Sequence, residues 1–465
     1  MFFKKTYTRQ DYAHLSEGKL VKLMGEDIFA KFEYAKRKYN RRENPYSYIP
    51  LLEEAANKDI DEACYLLGEI YHKGESVKKD DDKALIYYEK AVRMNYYKAY
   101  YPLSLIYYWK DLFDDAIKMA KLAYEKGQNE GVEVIYYSYL NLGNEEEAKK
   151  WMIIGAKTNN IILKSNLADA IYNGEMGFEV DYKKAFQLYK ETISLNSSKC
   201  SMAIMLLKGE GCEKDAKKGV GMLLELVDTY PFASLELGKI KIEGKYGVLR
   251  NITEAIKYCM KAKEDKSIAY LAYTEISVNM ANIAYNTYIN IKYELYSPLV
   301  LKHLSLDFVL PMLYKMMLRA KKFGEIAKNY KETELIITNL NNIDNGLDKF
   351  NKEMENIKCK ETFEEVSLDY LEKIGDIIER LMDNRGDYLQ RQELFEKIIN
   401  ELKGYVQSKI ISDEMKRIIC FWIGNCYTGL TRIYFDHYGR EEGKSMFTVA
   451  QFWGDCVECF EKDGL

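Results

Sequence analysis

Between residues 61 and 97 apolar and small side chains recur three and four apart, twice over. Ala63, Leu67 and Tyr71 fall on one face of a helix that Gly74 can close. After a polar stretch from Ser76 to Asp82, the residues Ala84, Tyr88 and Ala91 fall on one face of a second helix. The second helix opens with a polar pair and then a small residue, and that signature recurs along the chain. It stands at Ala84, Ala116, Ala148, Ala185, Gly219 and Ala255, spaced by 32, 32, 37, 34 and 36 residues. A period in the thirties predicts stacked helical hairpins, none of which can bury its apolar face alone. Period-two alternation is nearly absent, and the last of only six prolines is Pro311. The expected fold is therefore all-α: an α-solenoid of helical hairpins over residues 45–265, with eleven or twelve helices. A helical cap at 1–44 precedes it, and a C-terminal all-helical domain at 266–465 follows.

The small residues have a defined task. Gly68 and Ala84 allow the two helices of a hairpin to approach closely, while Leu67 and Tyr71 fill the space beside them. The set Ala63, Leu67, Gly68, Tyr71, Gly74, Asp82, Lys83, Ala84 and Ala91 resembles the Sel1-like repeat, a relative of the tetratricopeptide repeat. Ala233, Leu237, Gly238, Gly244, Gly247, Glu254, Ala255, Tyr258 and Ala262 resemble it again, as do Leu167, Ala168, Gly174, Gly177, Asp181, Lys184, Ala185 and Tyr189. The fifth unit keeps Gly209, Gly211, Asp215 and Lys218 but carries Gly219 where alanine is usual. Units two and three have shorter loops, nearer the tetratricopeptide form, and the first helix of unit three fits two registers.

The resemblance implies a protein- or peptide-binding scaffold, adaptor or regulatory subunit. In that family the first helices line a concave face. Carried over, the groove positions are Tyr65, Glu69 and His72 in unit one and Tyr101, Leu105 and Tyr108 in unit two. Unit four supplies Ser165, Asp169 and Tyr172, and unit six supplies Leu235, Lys239 and Ile242. Tyrosine suits such a surface, because its ring buries apolar area while its hydroxyl stays hydrogen-bonded. With 40 tyrosines in the chain, core and rim packing is the competing use.

Beyond Ala262 the repeat fades into long Met-, Tyr- and Ile-rich helices, with Pro298 as a helix start and Pro311 as a kink. Ile336, Leu340, Ile343, Leu347, Phe350, Met354 and Ile357 alternate four and three, a heptad seam over 336–357 that pairs with another helix. Packing within the chain and a homodimer through the C-terminal helices both satisfy it, and the second would make the chain a self-assembling structural protein. Four further helices are expected after residue 361.

Net charge is −4 with mixed signs, so the basic excess of a nucleic-acid binder is missing and no nucleic-acid partner is expected. No apolar run reaches bilayer length and the start of the chain lacks a signal-peptide core, so the expectation is a cytoplasmic protein with no membrane partner. Scarce Arg against Lys, with frequent Asn, Ile and Tyr, hints at an AT-rich, bacterial coding sequence. Gly439 to Ser445 imitates a phosphate loop but has three residues between its glycines where four are needed. Cys420, Cys426, Cys456 and Cys459, near His437, form a possible zinc set, although Cys456 and Cys459 on one helix face equally suit packing beside Trp453. Arg432 and His437 resemble the Arg-x4-6-His motif of HEPN-type ribonucleases, implying a phosphate-stabilising Arg432 and a proton-transferring His437 at a dimer interface. With four histidines and no other catalytic motif, the non-enzymatic reading leads, and no cofactor is expected.

Overall fold

The computed structural model describes residues 9–75, 77–354, 368–383, 387–406 and 411–457. Every regular element among them is helical. Two compact units emerge, 1–198 and 199–465, divided within the helix Asn196–Lys208.

In the first unit four described α-helices, Arg9–Ala13, Glu17–Leu23, Ile28–Asn40 and Ile49–Asn57, lead into the hairpins. Hairpin 1 pairs Asp61–Lys73 with Asp81–Arg93, and hairpin 2 pairs Tyr100–Trp109 with Phe113–Glu125. Hairpin 3 pairs Gly131–Asn141 with Glu145–Lys157, and hairpin 4 pairs Ile161–Asn173 with Tyr182–Glu191. Hairpins 5 and 6, Asn196–Lys208 with Ala216–Leu226 and Pro231–Glu243 with Ile252–Ala262, complete the six that the spacing predicts. Residues 45–265 hold thirteen described α-helices, slightly more than the eleven or twelve expected: the twelve of the six hairpins and the leading helix Ile49–Asn57.

One joint recurs in all six. The residue before the second helix donates its backbone N–H to the third-from-last carbonyl of the first helix. The pairs are Asp80–Tyr71, Leu112–Tyr107, Asn144–Tyr139, Asp181–Ile171, Asp215–Leu206 and Asn251–Lys241, at 2.8–3.3 Å. In five hairpins the same residue also caps the second helix with its side chain, through Asp80, Asn144, Asp181, Asp215 and Asn251. Hairpin 2 has Leu112 there and no side-chain cap. Hairpins 1, 4, 5 and 6 carry long loops that begin at a left-handed glycine, Gly74, Gly174, Gly209 or Gly244. Hairpins 2 and 3 turn in three residues. Asp181→Ala should cost about 1 kcal/mol, read as a lower midpoint in urea denaturation; an unchanged midpoint would show the cap to be idle.

The small residues sit where close approach is needed. A Cβ on Gly68 would lie 2.6 Å from the Tyr88 ring, and one on Gly238 would lie 2.4 Å from Cys259 Sγ. Gly219 replaces alanine because a Cβ there would stand 2.8 Å from the Ala203 carbonyl oxygen.

The second unit continues from hairpin 6 into Ala269–Lys292, Pro298–His303, Leu306–Tyr330 and Glu334–Met354. Leu368–Asp383, Tyr388–Val406, Asp413–His437 and Arg440–Cys456 are the four helices expected after residue 361. Pro298 starts its helix as expected, and Pro311 lies inside Leu306–Tyr330. The heptad seam is spent within this unit: Ile336, Ile343, Leu347 and Phe350 are buried in its core, with Leu340 and Met354 packed against it. Ile357 lies outside the described residues. Asn345-Gly346 does not interrupt the helix, because Gly346 lets Met317 pack against it. An assembly seam on these side chains is therefore corrected to an internal one.

Asp455 and Arg250 form an ion pair between the last described helix and the residue preceding the Asn251 cap of hairpin 6. Asp455 is only 3% exposed, and burial pushes its carboxyl up to about 6 despite the guanidinium.

Candidate functional site

The first helices of hairpins 1, 2, 4 and 6 carry the positions expected to face a partner. At the first of them, Tyr65 is half-buried, its ring 5.3 Å from that of Tyr96 and 6.0 Å from that of Tyr88. Burial, and then the Glu69 carboxylate that its hydroxyl meets, push the Tyr65 phenol up. Tyr101 is half-buried and its phenol is raised in the same way, chiefly by burial. Ser165 is a correction: it is buried, 2.9 Å from Ser198 Oγ, which also meets Thr192 Oγ1 at 2.8 Å. The opening turn of the next helix closes over that position.

At the second position Glu69 accepts from Lys73 at 2.8 Å. Asp169 accepts from Tyr189 Oη at 2.6 Å, and burial raises its carboxyl against that hydrogen bond. Leu105 is half-buried and packs against the cluster of Ala116, Ile117, Ala120, Val134 and Ile135.

The third position turns toward the start of its own hairpin's second helix. His72 Nδ1 lies 2.7 Å from Asp81 Oδ1, the Tyr108 ring 5.8 Å from that of Phe113, and the Tyr172 ring 5.3 Å from that of Tyr182. These side chains brace the hairpin and present only their remaining edges.

In hairpin 6 the expectation fails for two residues. Leu235 and Ile242 are fully buried, and Leu235 belongs to the core that includes helix Ala269–Lys292. That helix packs along Pro231–Glu243 and covers the face a guest would need. Lys239 is half-buried, 2.9 Å from Glu236 and 3.8 Å from Glu275. Burial works against its charge, but the two carboxylates keep its ammonium raised.

Hairpin 3 supplies what the sequence reading left out. Its first helix begins at Gly131, whose Cβ would meet the Ala120 carbonyl at 2.8 Å, and this places Tyr137 in register with Leu105. Tyr137 Oη accepts from Asn166 Nδ2 of hairpin 4 at 3.1 Å. Asn141 Nδ2 donates to the Tyr137 carbonyl at 2.8 Å and to Tyr108 Oη of hairpin 2 at 3.4 Å. Tyrosine rings and asparagine amides thus run across three consecutive hairpins. The 32-residue step from Ala116 to Ala148, carried back to Leu105, would have found Tyr137.

The other candidates do not converge on chemistry. Arg432 and His437 are both exposed on the single helix Asp413–His437. Five residues on an α-helix turn by about 140°, so the two side chains leave on different faces. The His437 ring stacks flat on Tyr388 at 3.8 Å. Cys420, Cys426 and Cys456 are buried, and burial pushes the Cys426 thiol up. Cys459 lies outside the described residues, and no metal-holding group of three His, Cys, Asp or Glu occurs among the described ones. No described helix is long and apolar enough to cross a membrane.

Comparison with known proteins agrees with the repeat geometry. The Sel1 repeat family model matches residues 61–96, 165–197, 198–225 and 231–266. No curated protein matches the chain. Among solved structures, a Sel1 repeat protein from Oxalobacter formigenes is 20% identical, covering 50% of this chain and 96% of its own, with a TM-score of 0.42. The c5321 protein, a protective antigen of uropathogenic Escherichia coli displaying an SLR fold, is 16% identical over 96% of each chain, with a TM-score of 0.48. Both scores fall below 0.5, so the assignment rests on the repeat matches and on the hairpins they coincide with. The matched segments of this chain are thus Sel1 repeats, each falling on a hairpin or one of its helices.

Proposed function

We propose that the chain is a non-catalytic scaffold that holds a protein or peptide along the first helices of hairpins 2–4. Sel1 repeats generally mediate protein interactions. The observation that carries the reading is the row Tyr101, Leu105, Tyr108, Tyr137 and Asn141, half-buried or exposed, with amide–hydroxyl contacts joining the hairpins. Such a row offers rings to cover and polar edges already oriented, so little side-chain freedom is lost when a guest arrives. Apolar burial would supply affinity and flanking charges would set register. Cys64, Cys200, Cys212, Cys259 and Cys426 are free thiols, in keeping with a reducing compartment such as the cytosol.

The test places a photo-cross-linking benzoylphenylalanine at Leu105 or Tyr137 of the full chain in extract of the source cell. Partner adducts are expected at both sites and not at Ile86, which is exposed on the second helix of hairpin 1. Tyr101→Ala with Tyr108→Ala should cut the adduct at Tyr137 about tenfold, as for the loss of about 1.4 kcal/mol. Equal labelling at Ile86, or none along the row, would defeat the scaffold reading.

A further inference from the structure

Leu112 breaks a rule that the other five hairpins keep. Its position precedes the second helix, where Asp80, Asn144, Asp181, Asp215 and Asn251 cap with their side chains. Leucine cannot cap, and here it also leaves 45% of its surface in water. Local stability and solubility both argue against that choice, so a use outside the fold is the remaining explanation.

Its surroundings point the same way. Trp109, three residues earlier, is 74% exposed. Tyr108 lies edge-on to Trp109 at 5.4 Å, and Asn141 reaches Tyr108 from hairpin 3. Leu140 and Leu142, exposed as well, flank that asparagine. These residues belong to the two hairpins that turn in three residues, so neither hairpin has a long loop of its own to drape over them. Exposed large apolar side chains gathered on neighbouring turns mark an interaction surface far better than the same residues scattered singly.

Charge identifies the guest. Asp111, Asp114 and Asp115 beside Leu112, and Glu145 and Glu146 beside Leu142, are all exposed. None of the five has an ion-pair partner among the described residues. Lys110, next to Asp111 in sequence, is already held by Asp82 of hairpin 1, and Lys150, one turn from Glu146, by Glu147. Acids in the first turn do complement the positive end of a helix, which accounts for some of them. Five unpaired acids around exposed tryptophan and leucine also make a surface that repels acidic guests and attracts basic ones.

We infer that the turn end of hairpins 2 and 3 docks a basic amphipathic peptide segment of a partner protein, with aliphatic or aromatic side chains on Trp109, Leu112, Leu140 and Leu142. Lys or Arg flanking those anchors meets Asp111, Asp114, Asp115, Glu145 and Glu146. The inference rests on the scaffold reading and adds where the guest is gripped and what its chemistry is.

The probe is a synthetic 18-residue helix of Lys and Leu in amphipathic register, with a Glu/Leu twin as control, titrated into the full chain. Trp109 is the most exposed of the four tryptophans, so acrylamide quenching of intrinsic emission reports on the surface directly. The Lys/Leu peptide should protect that emission and bind at least tenfold more tightly than the Glu/Leu twin, and the difference should shrink as salt rises. Leu112→Asn, which installs the missing cap, should raise the melting temperature while weakening the Lys/Leu peptide about tenfold. Adding Leu142→Ser should weaken it further. Equal binding of both peptides, or full affinity in the stabilised Leu112→Asn chain, would overturn the proposal. So would concentration-dependent self-association in light scattering that itself protects Trp109, since the surface would then be covered by a second copy. Cross-linking at Leu105 and Tyr137 that survives Leu112→Asn would leave the scaffold reading intact while removing this site.

Discussion

Tyr88→Ala is expected to destabilise the first unit by about 4 kcal/mol, the usual cost of emptying a large aromatic site. The Tyr88 ring is wholly buried and lies against the bare backbone of Gly68. Gly68→Val attacks the same contact from the other side, since its Cβ would fall 2.6 Å from two ring carbons and 2.9 Å from a third. The whole ring would have to move, at about 3 kcal/mol for overpacking. The two changes are complementary in volume, so the double variant should cost at least 1 kcal/mol less than the sum. Urea denaturation of the four chains measures this. Strict additivity would mean that Gly68 is kept for a reason other than the ring.

The second large effect depends on pH. Asp455 has a folded value of about 6 against about 3.8 when free, so the folded chain holds its proton more tightly than the unfolded chain does. This group's stabilising share is therefore complete below about pH 3.8 and is lost as the pH rises through about 6. The difference amounts to roughly 3 kcal/mol. Arg250→Met removes the one charge opposing that trend and leaves a buried carboxyl alone. At pH 8 the substitution should cost about 3–5 kcal/mol, whereas at pH 5, with Asp455 mostly protonated, about 1 kcal/mol should remain. Asp455→Asn should flatten the slope between pH 4 and 6. A cost for Arg250→Met that is the same at both pH values would show that Asp455 does not carry it.

The hairpins were legible because their constraints are local. Gly74, Gly174, Gly209 and Gly244 close helices in a conformation that favours glycine, and Ala84 or Gly219 stand where a larger side chain would strike a neighbouring helix. The exposed face was less legible because covering is a long-range event. Nothing near Leu235 in sequence says that it will share a core with Ala269–Lys292, and nothing near Ser165 announces Ser198. Tyr137 was hidden by the two possible registers of hairpin 3, which Gly131 against Ala120 decides. The heptad seam was visible, but only the fold reveals that its partners are within the same unit.

The joint shared by all six hairpins makes them interchangeable at their seams. Leu112 and Asn144 end their turns with the same bond to the helix behind, and 32 residues separate the second helices that follow. Excising residues 113–144 would splice Leu112 directly to Glu145, recreating a junction of a kind the molecule already contains. Whole hairpins can therefore be lost or copied as cassettes, so the length of such an array is free to drift over generations without the fold having to be reinvented.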